Sequence, residues 1–167
     1  MQTKKELFNT LLPLETERLL IRKTSLEDVD MLLKMDKQEM TQKYLGGIKD
    51  KTKEERITFL KKKVGMLTVC LKDNTPIGFT GLNINENENT ATIGYIYDND
   101  YWNNGYCTEA CNRLLDIGFN KLNLNKITAD TIEENISSIK VLQKLGFKPV
   151  GTREKFLDYC ILKSEYR

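Results

Sequence analysis

One ten-residue segment combines a small polar loop with the start of a helix: Tyr101-Trp102-Asn103-Asn104-Gly105-Tyr106-Cys107-Thr108-Glu109-Ala110. It follows an alternating apolar run, Ala91 to Tyr97, that predicts a β-strand. Free backbone N–H groups at a helix start attract an anion, and the helix dipole adds to the attraction. Gly105 has no Cβ, so the backbone there can approach a phosphate closely. The segment therefore predicts a pyrophosphate site and, with it, a nucleotide-type cofactor.

A β-hairpin is the competing interpretation, because Asn-Gly is a common two-residue hairpin turn. A hairpin needs a second alternating strand after the turn, and the residues after Gly105 do not alternate. Instead Tyr106, Ala110, Leu114 and Ile117 recur at spacings of four, four and three, which is one face of a helix. The spacing favours a loop that leads into a helix.

The composition limits which kinds of protein the chain can be. Its 167 residues suffice for a buried core, and we expect a single domain over residues 1–167. The 26 basic and 24 acidic residues give a net charge of +2, so no overall field recruits nucleic acid or an anionic membrane. No apolar stretch reaches the ~20 residues of a membrane span, and the N-terminus lacks a signal-peptide core. We therefore expect a cytoplasmic protein without a membrane or nucleic-acid partner.

The cysteines and the absence of histidine restrict the available chemistry. Cys70, Cys107, Cys111 and Cys160 form no C-x-x-C pair, and a zinc site without histidine would need unusual ligands. We therefore expect no metal. Ser-His-Asp and Cys-His mechanisms are excluded, so any general base must be a carboxylate, a tyrosine, a relayed water or the substrate itself.

The order of the predicted elements indicates an α/β fold. The periodicity predicts strands at 14–23, 66–71, 77–84, 91–97 and 126–132, helices at 26–44, 53–64, 105–121 and 134–145, and two final short strands, from 147 through 150 and from 158 to 163. This order favours a mixed sheet with helices on its faces.

Four segments match one known enzyme family in order and in residue type. They are Glu17-Arg18-Leu19-Leu20-Ile21-Arg22, Tyr44-Leu45-Gly46, the loop from Tyr101 to Ala110, and the segment from Asn135 to Phe147. Together they resemble the GNAT family of acetyl-CoA-dependent N-acetyltransferases, in particular its RimJ/RimL-like branch of ribosomal-protein-alanine acetyltransferases. The resemblance implies the GNAT fold, a mixed, mostly antiparallel sheet with splayed central parallel strands and helices on both faces.

The function that this resemblance implies is direct transfer of acetyl from acetyl-CoA, as co-substrate and without a metal, to a primary amine. The acceptor would be a protein N-terminal amine, and the protein a monomer or homodimer. Two alternatives stay open. One is a small-molecule enzyme that acetylates an aminoglycoside or a polyamine, and the other is a module that binds acetyl-CoA without turnover.

The resemblance also implies where the cofactor binds. Backbone groups of Ile96 and Tyr97 are expected to pair with the pantetheine amides, beside splayed strands at 91–97 and 126–132. Asn135 is expected to hydrogen-bond the pantetheine, although an asparagine that begins a helix is also explained as an N-cap. The other expected ligands form the loop itself: Trp102, Asn103, Asn104, Gly105, Tyr106, Cys107 and Thr108.

Three loop positions depart from the family's pattern. The first glycine of the loop is Asn103 here, its last small residue is Cys107, and Asn104 stands where a lysine or arginine is common. Because backbone N–H groups bind the phosphates, we expect cofactor binding to survive these changes and at most to weaken.

The expected catalytic residues are Ser138, Asp98 and Glu154. Many family members place a tyrosine general acid where this chain has Leu142, and the serine of the Asn-x-x-Ser element, here Ser138, is a suggested substitute near the cofactor sulfur. Ser138 is therefore expected to bind the cofactor as well. An acidic residue of the branch falls near Thr92, so the usual base is missing. Asp98, at the end of its strand, and Glu154, on the last hairpin, are the nominated proton acceptors, and each also fits a solvated surface charge.

Overall fold

The computed structural model describes residues 2–167, which form six α-helices and eight β-strands. The helices are Lys4–Thr10 (α1), Val29–Asp36 (α2), Glu39–Gln42 (α3), Lys53–Lys62 (α4), Tyr106–Asp116 (α5) and Ile136–Lys144 (α6). The strands are Leu14–Glu15 (β1), Leu19–Lys23 (β2), Leu67–Leu71 (β3), Pro76–Asn85 (β4), Thr90–Tyr97 (β5), Lys126–Ile132 (β6), Lys148–Arg153 (β7) and Phe156–Leu162 (β8). No helix within residues 2–167 is long and apolar enough to cross a membrane.

All eight strands belong to one sheet with the order β1-β2-β3-β4-β5-β6-β8-β7. The pairs β1–β2, β2–β3, β3–β4, β6–β8 and β7–β8 are antiparallel, and β5–β6 is parallel. The mixed, mostly antiparallel sheet that we expected from the sequence is therefore confirmed.

The chain divides into two compact units, which we describe separately. The loop unit comprises residues 13–81 and 95–106, and the terminal unit comprises the described residues before 13 together with 82–94 and 107–167. Strands β4 and β5 contribute residues to both units. That residues 1–167 act as a single domain stays a prediction.

An apolar cluster and two ion pairs organise the loop unit. Its buried cluster combines residues of α2, α4 and β4: Val29, Met31, Leu32, Met35, Leu60 and Phe79. The Arg22 guanidinium donates to both carboxylate oxygens of the buried Asp28, at 2.9 and 2.8 Å. Arg56 of α4 pairs with Asp36 of α2, whose side chain is also buried. These pairs fix α2 against β2 and α4.

The parallel pair in the terminal unit shares only a short register. Thr90–Thr92 of β5 lie opposite Lys126–Thr128 of β6. At the last position, the hydroxyls of Thr92 and Thr128 are 2.9 Å apart and hydrogen-bonded. On its other side, β6 pairs with β8 along its whole length, from Lys126 to Ile132. This short register is what diverging parallel strands require.

A turn divides the segment that the sequence predicted as one strand, from 14 to 23. The Thr16 and Leu19 backbones are joined by a 3.0 Å hydrogen bond, and the Thr16 hydroxyl accepts from the Leu19 N–H at 3.0 Å. Strands β1 and β2 therefore run antiparallel, and the turn carries Arg18. The hydroxyl stabilises the turn, a local effect that apolar periodicity does not report.

The helix predicted over 26–44 is also divided. A 3₁₀ turn at Leu26–Asp28 precedes α2, and Gln38, with an extended backbone (φ −84°, ψ 110°), separates α2 from α3. Helix α1 was not predicted, although Thr3 and Glu6 form a capping box at its start. That box was the signal available in the sequence.

Candidate functional site

The loop that follows β5 is anchored by the side chain of Asp98. This side chain is buried, caps a 3₁₀ turn at Asn99–Tyr101, and accepts from the Asp100 N–H at 3.0 Å. It also accepts from Lys34 Nζ and from Gln38 Nε2, each at 2.7 Å. The Asp98 N–H donates to the Ile77 carbonyl at 3.1 Å, which joins the loop start to β4.

The environment of Asp98 keeps it ionised. Burial alone would raise the pKa of Asp98, but the hydrogen bonds from Lys34 and Gln38 hold that pKa below its ordinary value. The hydrogen bonds of Asp100 and Asp98 in turn raise the pKa of Lys34. A carboxylate held by these donors is a poor proton acceptor at neutral pH. Its evident role is to position the loop, and its expected role as a base stays a prediction.

The end of β5 is held from two sides. Trp102 Nε1 donates to the Tyr97 carbonyl at 2.9 Å, and the Thr41 hydroxyl oxygen lies 3.4 Å from the same carbonyl oxygen. On the neighbouring strand β4, a Cβ added at Gly78 would lie 2.6 Å from Cδ1 of Tyr97. The Tyr97 ring therefore packs directly on the backbone of Gly78. Trp102 therefore fixes the base of the loop.

The tip of the loop contains two residues with a left-handed backbone. They are Asn103 (φ 62°) and Gly105 (φ 78°), with Asn104 between them. Left-handed residues of this kind are a feature of the backbone nests that bind anions. Asparagine adopts this conformation more readily than other non-glycine residues, so Asn103 can replace a glycine here. The side chain of Asn104 donates to the carbonyls of Tyr101 and Trp102, at 3.2 and 2.9 Å, and so closes the loop.

Helix α5 begins directly after Gly105 and runs for 11 residues. The N–H groups of its first turn, which includes Cys107 and Thr108, have no partner within the helix, and its dipole adds positive potential there. The half-buried Cys107 thiol hydrogen-bonds Cys111, and this bond together with burial raises the pKa of Cys107. Cys107 is therefore a neutral thiol rather than a nucleophile.

Arg18 also contacts the loop. The sequence analysis placed Arg18 in the first predicted strand and gave it no role in the site. Its Nη1 donates to the Asn104 carbonyl at 3.0 Å, and its guanidinium carbon lies 4.7 Å from the centre of the Tyr106 ring. The sequence analysis also gave no role to Lys34 and Gln38, which were placed one turn apart in the helix predicted over 26–44.

The start of α6, in the terminal unit, brings Asn135 and Ser138 together. Asn135 is the N-cap of the helix, and its Oδ1 accepts from the Ser138 N–H at 3.2 Å. The interpretation of Asn135 as an N-cap is therefore confirmed, and its contact with the pantetheine stays a prediction. Ser138 is half-buried, while Leu142, one turn further on, is fully buried. Leu142 belongs to the core.

Glu154 lies in the terminal unit as well, at the tip of the β7–β8 hairpin. It is exposed and has a left-handed backbone with φ of 52°. The structure thus places the two nominated bases in different units, Asp98 in the loop unit and Glu154 in the terminal unit. Among residues 2–167, no three cysteine, aspartate or glutamate side chains are grouped to hold a metal ion.

Comparisons with known proteins agree on one family. The family model described as "Acetyltransferase (GNAT) domain" matches residues 18–148. The uncharacterized N-acetyltransferase p20 of Bacillus licheniformis is 32% identical over 173 residues, covering 92% of this chain and 97% of that protein. A crystal structure of a GNAT-family acetyltransferase from Bacillus anthracis has a TM-score of 0.81 at 28% identity. This match covers 90% of the present chain and 98% of the Bacillus anthracis chain.

A further solved structure matches in fold alone. The spermidine N-acetyltransferase from Vibrio cholerae, in complex with CoA and spermine, has a TM-score of 0.77 at 20% identity. The match covers 90% of this chain and 99% of that one.

The Asp98→Asn variant should lose stability in a pH-dependent way. Asparagine keeps the shape but removes the charge that Lys34 pairs, so we expect a loss of about 2 kcal/mol at pH 7. Because the folded-state pKa of Asp98 is lowered, its contribution is complete above the unfolded pKa of about 3.9 and disappears as pH falls through the folded pKa. Urea unfolding of both proteins between pH 7 and 3 measures the difference.

Asp50→Asn is the matched control for that experiment, because the ion pair of Asp50 with Lys37 is exposed. This variant should unfold like the wild type at every pH. A stability difference between Asp98→Asn and wild type that stays constant from pH 7 to 3 would contradict the anchoring role.

Proposed function

We propose that this chain, which belongs to the GNAT family of N-acetyltransferases, binds acetyl-CoA through the loop 102–108 and transfers its acetyl group to a primary amine. The family uses acetyl-CoA. The observation that supports the binding site most is the pair of left-handed residues, Asn103 and Gly105, placed directly before the first turn of α5. Backbone N–H groups that converge at a helix start suit a pyrophosphate.

The proposed reaction is a direct acyl transfer. A neutral amine attacks the thioester carbonyl, so a C–N bond forms, the C–S bond breaks and the thiolate of CoA leaves. The amine then loses a proton and the thiolate gains one. The protein must hold the two reactants in line, stabilise the oxygen on which charge develops, and move these protons.

Backbone groups beside the parallel pair are the proposed partners of the pantetheine. The register shared by β5 and β6 ends at Thr92 and Thr128, and β5 continues to Tyr97. We infer that pantetheine amides pair with the backbone of Ile96 and Tyr97, and that a backbone N–H of this region holds the thioester oxygen. This pairing needs no particular side chain.

Ser138 is the proposed residue at the departing sulfur. A serine hydroxyl is a weak acid, so its contribution is to orient the thioester or to relay a proton through water. Asn135 fixes the backbone of Ser138 by accepting its N–H, which positions the hydroxyl at the helix start. Asn135 would thus act both as the N-cap and beside the pantetheine.

Removal of the proton from the amine is the step for which the fewest candidate residues are available. Asp98 is bound by Lys34 and Gln38 and is held ionised, whereas Glu154 is the nominated carboxylate that stands exposed. We propose that the amine loses its proton through water, so that the amine's own pKa governs the pH dependence.

An α-amine next to an apolar side chain is the acceptor that we propose, as in the RimJ/RimL-like branch. Large apolar side chains are exposed around the two glycines at 46 and 47: Met40 at 54%, Leu45 at 50% and Ile48 at 59%. Residues 39–50 also carry two acidic and two basic side chains, so they offer no excess negative charge for a polyamine. An apolar wall of this kind fits the first side chains of a protein N-terminus.

Gly105→Val should weaken acetyl-CoA binding at least about tenfold, roughly 1.4 kcal/mol. Valine is strongly disfavoured at φ of 78°, so the loop would have to change shape. Calorimetric titration with acetyl-CoA measures the change. Gly65→Val is the matched control, because Gly65 has a similar φ of 80° and open space around its Cβ position. Unchanged affinity in a folded Gly105→Val variant would refute the loop assignment.

Ser138→Ala should lower kcat about 10²-fold while changing the dissociation constant of acetyl-CoA less. The reason is that the hydroxyl is proposed to act mainly in the transition state. Steady-state kinetics and a binding titration on the same preparation separate the two effects, and the exposed neighbour Ser137→Ala is the control. Equal losses of binding and turnover would make Ser138 a cofactor ligand instead, and no loss in either would return it to the helix surface.

The pH profile of turnover distinguishes the acceptor classes. With an N-terminal peptide, the rate should rise with pH and level off near the α-amine pKa of about 8, whereas a polyamine would keep the rate rising toward about 10. Thioester consumption followed with a thiol reagent from pH 6 to 10 measures this. A plateau near 6.5 would indicate a carboxylate base tuned by burial. If the thioester is consumed no faster than by spontaneous hydrolysis with every amine tested, the result would favour the alternative of a module that binds acetyl-CoA without turnover.

A further inference from the structure

We propose that Arg18 supplies the positive charge of the phosphate-binding loop, in place of the basic side chain that is missing at position 104. The inference rests on the proposed function, since it concerns the same cofactor. It adds a binding residue that lies 86 positions before the loop in the sequence.

The local fold brings Arg18 to the loop. Arg18 is the last residue of the turn between β1 and β2, and the Thr16 hydroxyl holds that turn by accepting from the Leu19 N–H. Leu19 is fully buried, which fixes the strand that follows. The exposed side chain of Arg18 therefore starts from a rigid position at the edge of the loop unit.

The guanidinium of Arg18 contacts three consecutive loop residues. Nη1 donates to the Asn104 carbonyl at 3.0 Å, Nη2 lies 3.5 Å from the position that a Cβ of Gly105 would occupy, and the group lies over the Tyr106 ring at 4.7 Å. These three residues belong to the loop that we propose binds the pyrophosphate. The positive charge thus lies within a few ångströms of that loop's backbone.

The charges of the loop explain why such a residue is needed. From 98 to 112 the sequence contains three acidic residues, Asp98, Asp100 and Glu109, and no basic residue. Lys34 pairs with both Asp98 and Asp100. A pyrophosphate would therefore meet little positive side-chain charge from the loop itself, and Arg18 provides it from outside the loop.

The chemistry of arginine suits this role. A guanidinium presents five N–H donors in a planar fork whose geometry matches phosphate oxygens, and it can stack on an aromatic ring at the same time. Its weak hydration lowers the cost of exchanging water for phosphate oxygens. Lysine at position 18 would keep the charge but would lose both the stacking on Tyr106 and the fork.

Binding of three cofactor fragments to Arg18→Gln tests the proposal. We expect the variant to bind CoA and dephospho-CoA about tenfold more weakly than the wild type and pantetheine equally well, because only the first two carry the pyrophosphate. The CoA dissociation constant should also depend less on salt concentration in the variant. Arg18→Lys should recover part of the affinity, and Lys61→Gln, which removes an exposed charge of α4, should change nothing.

Three results would count against the proposal or its premise. Equal weakening for pantetheine and CoA would show that Arg18 only shapes the loop, and unchanged CoA affinity in a folded Arg18→Gln variant would also overturn the inference. If Arg18→Gln does not fold, Arg18→Met, which also removes the charge, replaces it, and an unchanged CoA affinity and salt dependence in that variant would overturn the inference as well. A wild-type protein that binds none of the three compounds would refute the proposed function itself.

Discussion

The buried carboxylate of Asp98 is the interaction on which the geometry of the site depends. It accepts from Lys34, from Gln38 and from the Asp100 backbone, so one side chain joins helix α2, the segment before α3 and the loop that follows β5. The Asp98 carboxylate itself is buried, and a hydrogen bond from a charged donor such as Lys34 is stronger than one between neutral groups. The conformation of residues 99–106 therefore depends on the hydrogen bonds of Asp98.

A rigid loop base makes a backbone-based anion site possible. The N–H groups of a loop bind an anion only if they already converge, because ordering them on binding would cost affinity. Here Asp98 and Trp102 hold the base, Asn104 closes the loop, and Asn103 and Gly105 set the left-handed turns. Because backbone groups would make the proposed contacts, the departures from the family's usual loop residues are compatible with the same function. In the same proposal, Arg18 would supply charge that the loop sequence lacks.

The sequence predicted the sheet, the GNAT fold and the loop-to-helix junction, and these are confirmed, because they depend on apolar periodicity and on short local motifs. It did not predict the division of residues 14–23 at Thr16, because a single hydroxyl stabilises that turn, nor the division of 26–44 at Gln38, where the backbone becomes extended without a change in the apolar periodicity. It also gave no role in the site to Arg18 or Lys34, whose contacts join segments more than 60 residues apart in sequence. Asp98 was found as a candidate base, but only the structure revealed its donors.

The central claim, that the loop binds the pyrophosphate of CoA through its backbone, is tested most directly by amide NMR. Titration of ¹⁵N-labelled protein with CoA, and separately with pantetheine, isolates the shifts that the pyrophosphate-containing part of CoA causes. The account predicts that the largest CoA-specific changes fall on the amides of Asn104, Gly105, Tyr106, Cys107 and Thr108. CoA-specific changes that leave these amides unmoved, and fall instead on a distant element such as α4, would contradict it.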